Sequence, residues 1–199
     1  MSEPEQHVFP PDVAIPNSRF PLLVYRAAVP ADPAVIERRF AANGWSNSWR
    51  DGIFPFHHFH SNAHEVLGIA AGSARVWFGG PKGNEVAVKA GDVVVIPAGV
   101  GHRCDEASAD LLVVGAYPGG ADSDTCRMDP LRAEQYLEAA AAVPVPDSDP
   151  LMGADGPLCR LWREALRADH AAATTEHAMA YGRGEPAEGS HGPMPRLWR

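Results

Sequence analysis

The chain has 199 residues, 45% of them hydrophobic, and a formal net charge of -8. That length suits one domain with an appendage and a real buried core. The acidic balance, without a basic run, excludes a polyanion-binding surface, so no nucleic-acid partner is expected. No apolar run approaches the roughly 20 residues needed to span a bilayer, so no membrane partner is expected either.

The first residues, "MSEPEQHVFPPDVAIPNSRF", are acidic and proline-rich, and lack the basic start and apolar middle of a signal peptide. Residues 1–17 read as an arm whose polar residues and prolines pack poorly into regular elements. "FPLLVYRA" (Phe20 to Ala27) reads as a first strand. A short helix follows in "ADPAVIERRFAANGW", with Asp32 as its N-cap, Pro33 in its first turn and Asn43-Gly44 at its end. Ile36 and Phe40, four apart, supply its apolar face.

From about Trp45 to Tyr117 short β-prone runs are cut by glycine turns. "EVLGIAA", "ARVWF", "EVAVK", "DVVVIP" and "LLVVGAY" are the candidate strands, and their spacing predicts a sandwich or barrel. "DPLRAEQYLEAAAAV" predicts a helix capped by Asp129, with Pro130 first. "PVPDSDPLMGADGPL" reads as an extended connector crossing the body's surface. "CRLWREALRADHAAATTEHAMAYG" is helix-prone, and the Gly/Pro-rich "RGEPAEGSHGPMPRLWR" is expected to be poorly ordered. Cys104, Cys126 and Cys159 are odd in number, far apart and outside any CxxC pattern, so a reducing cytoplasm is the expected setting.

The chemistry concentrates in "FHHFHSNAHEVLG", Phe56 to Gly68, which holds four of the nine histidines. Read as strand, loop and strand, it puts His58 and His60 on one face and His57 and Phe59 on the other. Beyond the loop, Glu65, Leu67 and Ile69 share a face. Two histidines and a carboxylate on one face with open positions form a known divalent-metal arrangement. Downstream, "GDVVVIPAGVGHRCDE" carries a strand, a Pro-Gly turn and then His102 where the chain re-enters a strand.

These two segments resemble the cupin motifs. The first fits G-x5-HxH-x4-E-x6-G with Gly52, His58, His60, Glu65 and Gly72. The second fits G-x5-PxG-x2-H-x3-N with Gly91, Pro97, Gly99 and His102, except that Glu106 stands where the motif has Asn. From about Pro16 to Trp162 the wording is similar to a family of single-cupin proteins without an assigned activity. The resemblance implies an all-β, RmlC-like double-stranded β-helix, the cupin jelly-roll barrel, with a short N-terminal helix and a helical or irregular C-terminal extension. It also implies one divalent metal ion (Fe, Mn, Zn, Ni or Cu) held by His58, His60, Glu65 and His102. The organisation expected is an arm at 1–17, the cupin domain with its flanking elements at 18–165, and a helical or disordered tail at 166–199.

The alternative for the three histidines is a set of partly buried rings bonded to backbone, and for Glu65 a solvated strand residue. His57 is expected to face outward and His64 to sit in the loop, on the surface or orienting a ligand imidazole. Cys104 reads as an inert buried thiol. Trp45, Trp49 and Phe54 read as core or lid packing, and His170, His177 and His191 as exposed.

A divalent ion with three neutral imidazoles and one carboxylate keeps a charge of about +1 and favours an anionic ligand. The expected function is therefore a small-molecule metalloenzyme (oxygenase, decarboxylase or isomerase) acting on a small organic anion. The alternatives are a non-catalytic module that binds a small ligand or metal, and an interaction protein with a structural site. A homodimer is left open. Tyr25, Arg75, Cys104 and Glu106 are the candidates for an acid, base or positioning group beyond the ligands, and none stands out.

Overall fold

Asp32 and Pro33 start the first helix as their chemistry requires. The Asp32 side chain accepts from the N–H groups of Ala34 and Val35, at 2.8 and 3.0 Å. The computed structural model describes residues 2–12 and 14–181, with side chains as far as Asp169. It divides into two units, Met1–Leu166 and Arg167–Arg199.

The first unit contains β1 (Glu5–Phe9), β2 (Ser18–Tyr25), α1 (Pro33–Ala42), β3 (Trp45–Asp51), β4 (Glu65–Ala71), β5 (Ser73–Phe78), β6 (Asn84–Lys89), β7 (Val93–Ile96), β8 (His102–Ala107) and β9 (Leu112–Pro118). A 3-10 turn at Pro130–Arg132, capped by Asp129 as expected, leads into α2 (Ala133–Ala142). Helix α3 (Pro157–Tyr181) starts in the first unit and carries the chain into the second. Among the described residues no helix is long and apolar enough to cross a membrane.

The strands form a six-stranded sheet in the order β1-β2-β7-β4-β9-β3 and a three-stranded sheet in the order β6-β5-β8. All the pairs are antiparallel. Between the sheets lies one core, where Leu22, Leu67, Ile69, Val94 and Val113 meet Val76, Phe78, Val86 and Val88. The second core covers the other face of the large sheet. There Leu23, Tyr25, Val66, Val95 and Val114 pack against Ile36 and Phe40 of α1 and Leu158 and Trp162 of α3. This is the jelly-roll architecture that the motifs implied.

Burial on both faces explains why β7 reads as an unbroken "VVVI", whereas β5 and β6 alternate. It also fixes Gly68, where a Cβ would stand 2.6 Å from Ile36 of α1. Only a glycine lets the helix lie this close to β4.

Four segments differ from expectation. Residues 5–9, inside the segment read as an arm, form β1 and pair with β2 along the sheet edge. Polar "WSNSWRD" forms β3 at the opposite edge. "FHHFH" is no regular strand, since only His58 and Phe59 make β-bridges, one to His102 and one to Cys126. The connector before α3 is also not a surface crossing at Asp149, which is fully buried. Its carboxylate accepts from the Tyr25 hydroxyl at 2.6 Å and from the N–H groups of Leu151, Met152 and Leu158.

Candidate metal centre

The histidine segment is threaded between two partners that set its side chains. His58 exchanges both backbone hydrogen bonds with His102 at the start of β8, and Phe59 exchanges both with Cys126. The alternation therefore turns His58 and His60 inward, where His102 meets them at the mouth of the barrel. The His58 and His102 ring centroids are 4.0 Å apart, and His60 lies 5.8 Å from each. One ring nitrogen from each of the three lies within 4.8 Å of the others. All three rings are buried, and Glu65, the first residue of β4, is 2% exposed beside them.

Each imidazole has one nitrogen committed to backbone. Nδ1 of His58 faces the Phe56 carbonyl at 3.1 Å, Nδ1 of His102 faces the Val100 carbonyl at 3.2 Å, and Nδ1 of His60 faces the Asp124 carbonyl. A carbonyl can only accept, so each Nδ1 carries the proton and each Nε2 is left with its lone pair. Nε2 of His60 stands 3.2 Å from Oε2 of Glu65, and Nε2 of His102 stands 3.5 Å from it. Lone pairs and a carboxylate oxygen thus converge with no donor of their own. Either an extra proton or a cation must lie among them.

The electrostatics agree. Burial works against the charge on Glu65, but His60 and His102 overcome it and hold the carboxyl well below its usual range. Burial and the neighbouring His102 push His58 down to about 3. For His60, burial is outweighed by the Glu65 charge and hydrogen bond, so its pKa is raised. Three buried imidazoles with Nδ1 committed to backbone can hold a metal ion, which would take the place of the proton that the Glu65 charge favours on His60.

The centre opens into a cavity of about 300 Å³, walled in part by Trp49, Ile53, Phe54, Leu67 and Tyr117. Trp49 lies flat over Gly115 of β9, where any Cβ would sit about 2.0 Å from its ring. Trp45 is fully in the core, while Phe54 is 50% exposed and stacks on Phe56 at the rim.

The other expectations fare differently. His57 turns away from the cavity and is half-buried. His64 is neither on the surface nor against a ligand ring. It is 1% exposed, accepts from the Ala98 N–H at 2.8 Å through Nδ1, and donates to the Pro144 carbonyl through Nε2. Cys104 is a buried thiol whose pKa burial raises. Tyr25, Arg75, Cys104 and Glu106 all lie outside the cavity lining. Glu106, the departure from the motif, pairs with Arg75 at 3.5 Å with its side chain 73% exposed, so it leaves the centre untouched. His170, His177 and His191 fall outside the described side chains.

Sequence reasoning missed two residues. Tyr117 at the end of β9 donates to Oε1 of Glu65 at 2.9 Å. Asp124 holds His60 through its carbonyl, while its carboxylate accepts from the backbone and hydroxyl of Ser61 at 2.7 and 2.5 Å. Neither sits in a motif, and both contacts exist only after the chain closes on itself.

The family model described as "Cupin domain" matches residues 50–115. The uncharacterized protein YjlB of Bacillus subtilis (strain 168) is 44% identical over 161 residues, 80% of this chain and 97% of the relative. Solved structures are more distant. Acireductone dioxygenase from Bacillus anthracis, with cadmium in its active centre, is 17% identical at a TM-score of 0.36; the match covers 46% of this chain and 62% of that one. A TDP-quinovose 3,4-ketoisomerase from Campylobacter jejuni is 15% identical at 0.36, covering 47% and 75%. Oxalate decarboxylase of Bacillus subtilis is 18% identical at 0.35, covering 57% and 29%. At that distance none of the three bears on what this chain does. The near full-length relative does settle descent, as do the barrel and the matched motifs: the chain belongs to the cupins, in the family of the Bacillus subtilis protein.

Proposed function

We propose that this cupin holds one divalent metal ion with His58, His60, His102 and Glu65, and acts there on a small organic anion as an oxygenase, decarboxylase or isomerase. One observation carries the reading: one ring nitrogen from each of three histidines converges, with Nε2 of His60 and of His102 against a carboxylate oxygen of Glu65, in the lining of an open cavity. A bound divalent ion would supply Lewis acidity or, for a redox metal, electron transfer. Three neutral imidazoles leave only Glu65 to offset its charge, so about +1 remains and favours an anion. Trp49, Ile53, Phe54 and Leu67 line part of the approach with apolar surface.

A second reading, metal-dependent binding without turnover, draws support from the same cavity. Besides the four proposed ligands, its polar lining is Arg50, Asp51, Tyr117 and Thr125, and Arg50 is already paired with Glu37 at 2.6 and 2.8 Å. The test is protein loaded with cobalt(II) or iron(II) and titrated with a panel of small carboxylic acids. Saturable change in the metal's absorption is expected, with much weaker binding to metal-free protein. Turnover in air but not under nitrogen supports the oxygenase class, and turnover in both supports a decarboxylase or isomerase. Binding without turnover across the panel supports the second reading. If no anion perturbs the ion, the open site is refuted.

A further inference from the structure

Glu65 has two carboxylate oxygens, and the fold treats them differently. Oε2 faces His60 and His102 at 3.2 and 3.5 Å. Oε1 accepts from the Tyr117 hydroxyl at 2.9 Å. The Tyr117 oxygen in turn stands 3.0 Å from Nε1 of Trp49. An indole N–H can only donate, so that bond must use a lone pair of the phenol and leaves its single proton for Glu65. The direction of the relay is therefore fixed: Trp49 to Tyr117 to Glu65.

Both relay partners are held from outside the centre. Trp49 comes from β3 and Tyr117 from β9, two strands paired in register at Trp49 and Gly115. Gly115 lets the indole lie on β9, which brings its N–H to the phenol two residues further on. Sequence reading gave Trp49 only a packing role and Tyr117 none. Nothing about the metal requires either residue, yet both are spent on one carboxylate oxygen.

Building on the ligand set proposed above, we infer that Tyr117, aimed by Trp49, is a positioning residue that occupies Oε1 of Glu65 and leaves Oε2 alone to face His60 and His102. A carboxylate free at both oxygens could turn about its own bonds, so that Oε2 would no longer be held toward the imidazoles. Tyr117 prevents this, and because it also lines the cavity it does so next to the incoming anion. Losing an orienting partner of a metal-binding carboxylate typically costs 10–100-fold in affinity.

The experiment measures cobalt(II) affinity of the full chain by chelator competition, together with the cobalt absorption spectrum. Y117F is expected to bind cobalt(II) on the order of 10–100-fold more weakly, with a shifted spectrum. W49F, which keeps a ring over Gly115 and removes the N–H, should change both in the same direction by less. In an E65A background Y117F should have no further effect, because nothing remains for it to position. Affinity and spectrum of Y117F matching wild type would overturn the inference, as would an equal loss in the E65A background. If Y117F does not fold, W49F with E65A/W49F decides in the same way. Should E65A itself bind cobalt(II) like wild type, the ligand set fails, which is a different result from Y117F alone being silent.

Discussion

Between His57 and His58 the chain turns one imidazole away from the cavity and the next one into it, since neighbouring side chains of an extended segment point to opposite sides. Nδ1 of His57 is buried without a hydrogen-bond partner among the described residues, whereas Nδ1 of His58 rests on the Phe56 carbonyl. H60A and H102A should therefore lower metal content sharply. Each should cost more than the roughly 10–100-fold expected for losing an orienting partner, because a donor atom itself is lost. H57A should leave the metal content unchanged. Equal metal in wild type and both ligand variants, measured by elemental analysis, would remove the site. These roles were legible because they are local: His58, His60 and Glu65 lie within eight residues, and His102 follows a Pro-Gly turn. His64 was misread because its surroundings are not local. Phe20 and Trp162, from β2 and α3, approach its ring to 6.2 and 4.7 Å, and the tilted indole closes it off from water. Burial then pushes its pKa down to about 4 and keeps it neutral.

At the scale of elements, the strands that sequence reading missed are the two at the edges of the large sheet. An edge strand gains its place through backbone hydrogen bonds on one side and faces solvent with much of its side-chain surface, so it needs no apolar alternation. In β3 only Trp45 is buried, and its register slips between Ser46 and Trp49 around Asn47, whose φ is +54°. Helix α1 was legible because its cap, its proline and its two buried residues all lie within its own sequence. The segment between α2 and α3 was not, since what fixes it is a carboxylate meeting Tyr25 across 124 positions. Y25F removes one of four donors from a fully buried charge and should destabilise the fold by about 1–3 kcal/mol. Metal content should not change, because Tyr25 lies outside the cavity. Burial first, and then the Asp149 charge, raise the Tyr25 pKa well above its usual value. The unfolded chain therefore releases this proton first, near pH 10. Tyr25 contributes its full stability below that pH and loses it as the pH rises further. Urea midpoints at pH 7 and pH 10.5 check both points: wild type should drop between them more than Y25F. Equal drops would mean that the Tyr25 proton is not held by the fold.

At the scale of the whole molecule, a net charge of -8 and the proposed site for anions are compatible. Fields from exposed carboxylates are largely screened beyond roughly 8–10 Å at physiological salt, while contact with a metal ion is short-ranged. Stability is a question of where the cores end. Both large clusters, among the described residues, draw on nothing beyond Leu166. Beyond Tyr181 the sequence is rich in Gly and Pro, and Met194, Leu197 and Trp198 are its only large apolar residues. So short an apolar supply cannot build a core of its own, and it matters only if those few side chains are covered by something else. A chain ending at Tyr181 should therefore keep its metal and melt within about 4 °C of the full chain, the shift that roughly 1 kcal/mol produces at this size. Calorimetry and elemental analysis on the two lengths make the comparison. A much larger fall in Tm would show that Leu197 and Trp198 bury apolar surface against this chain or a second copy. Repeating the melt at two protein concentrations would then separate those cases, since only association makes Tm depend on concentration.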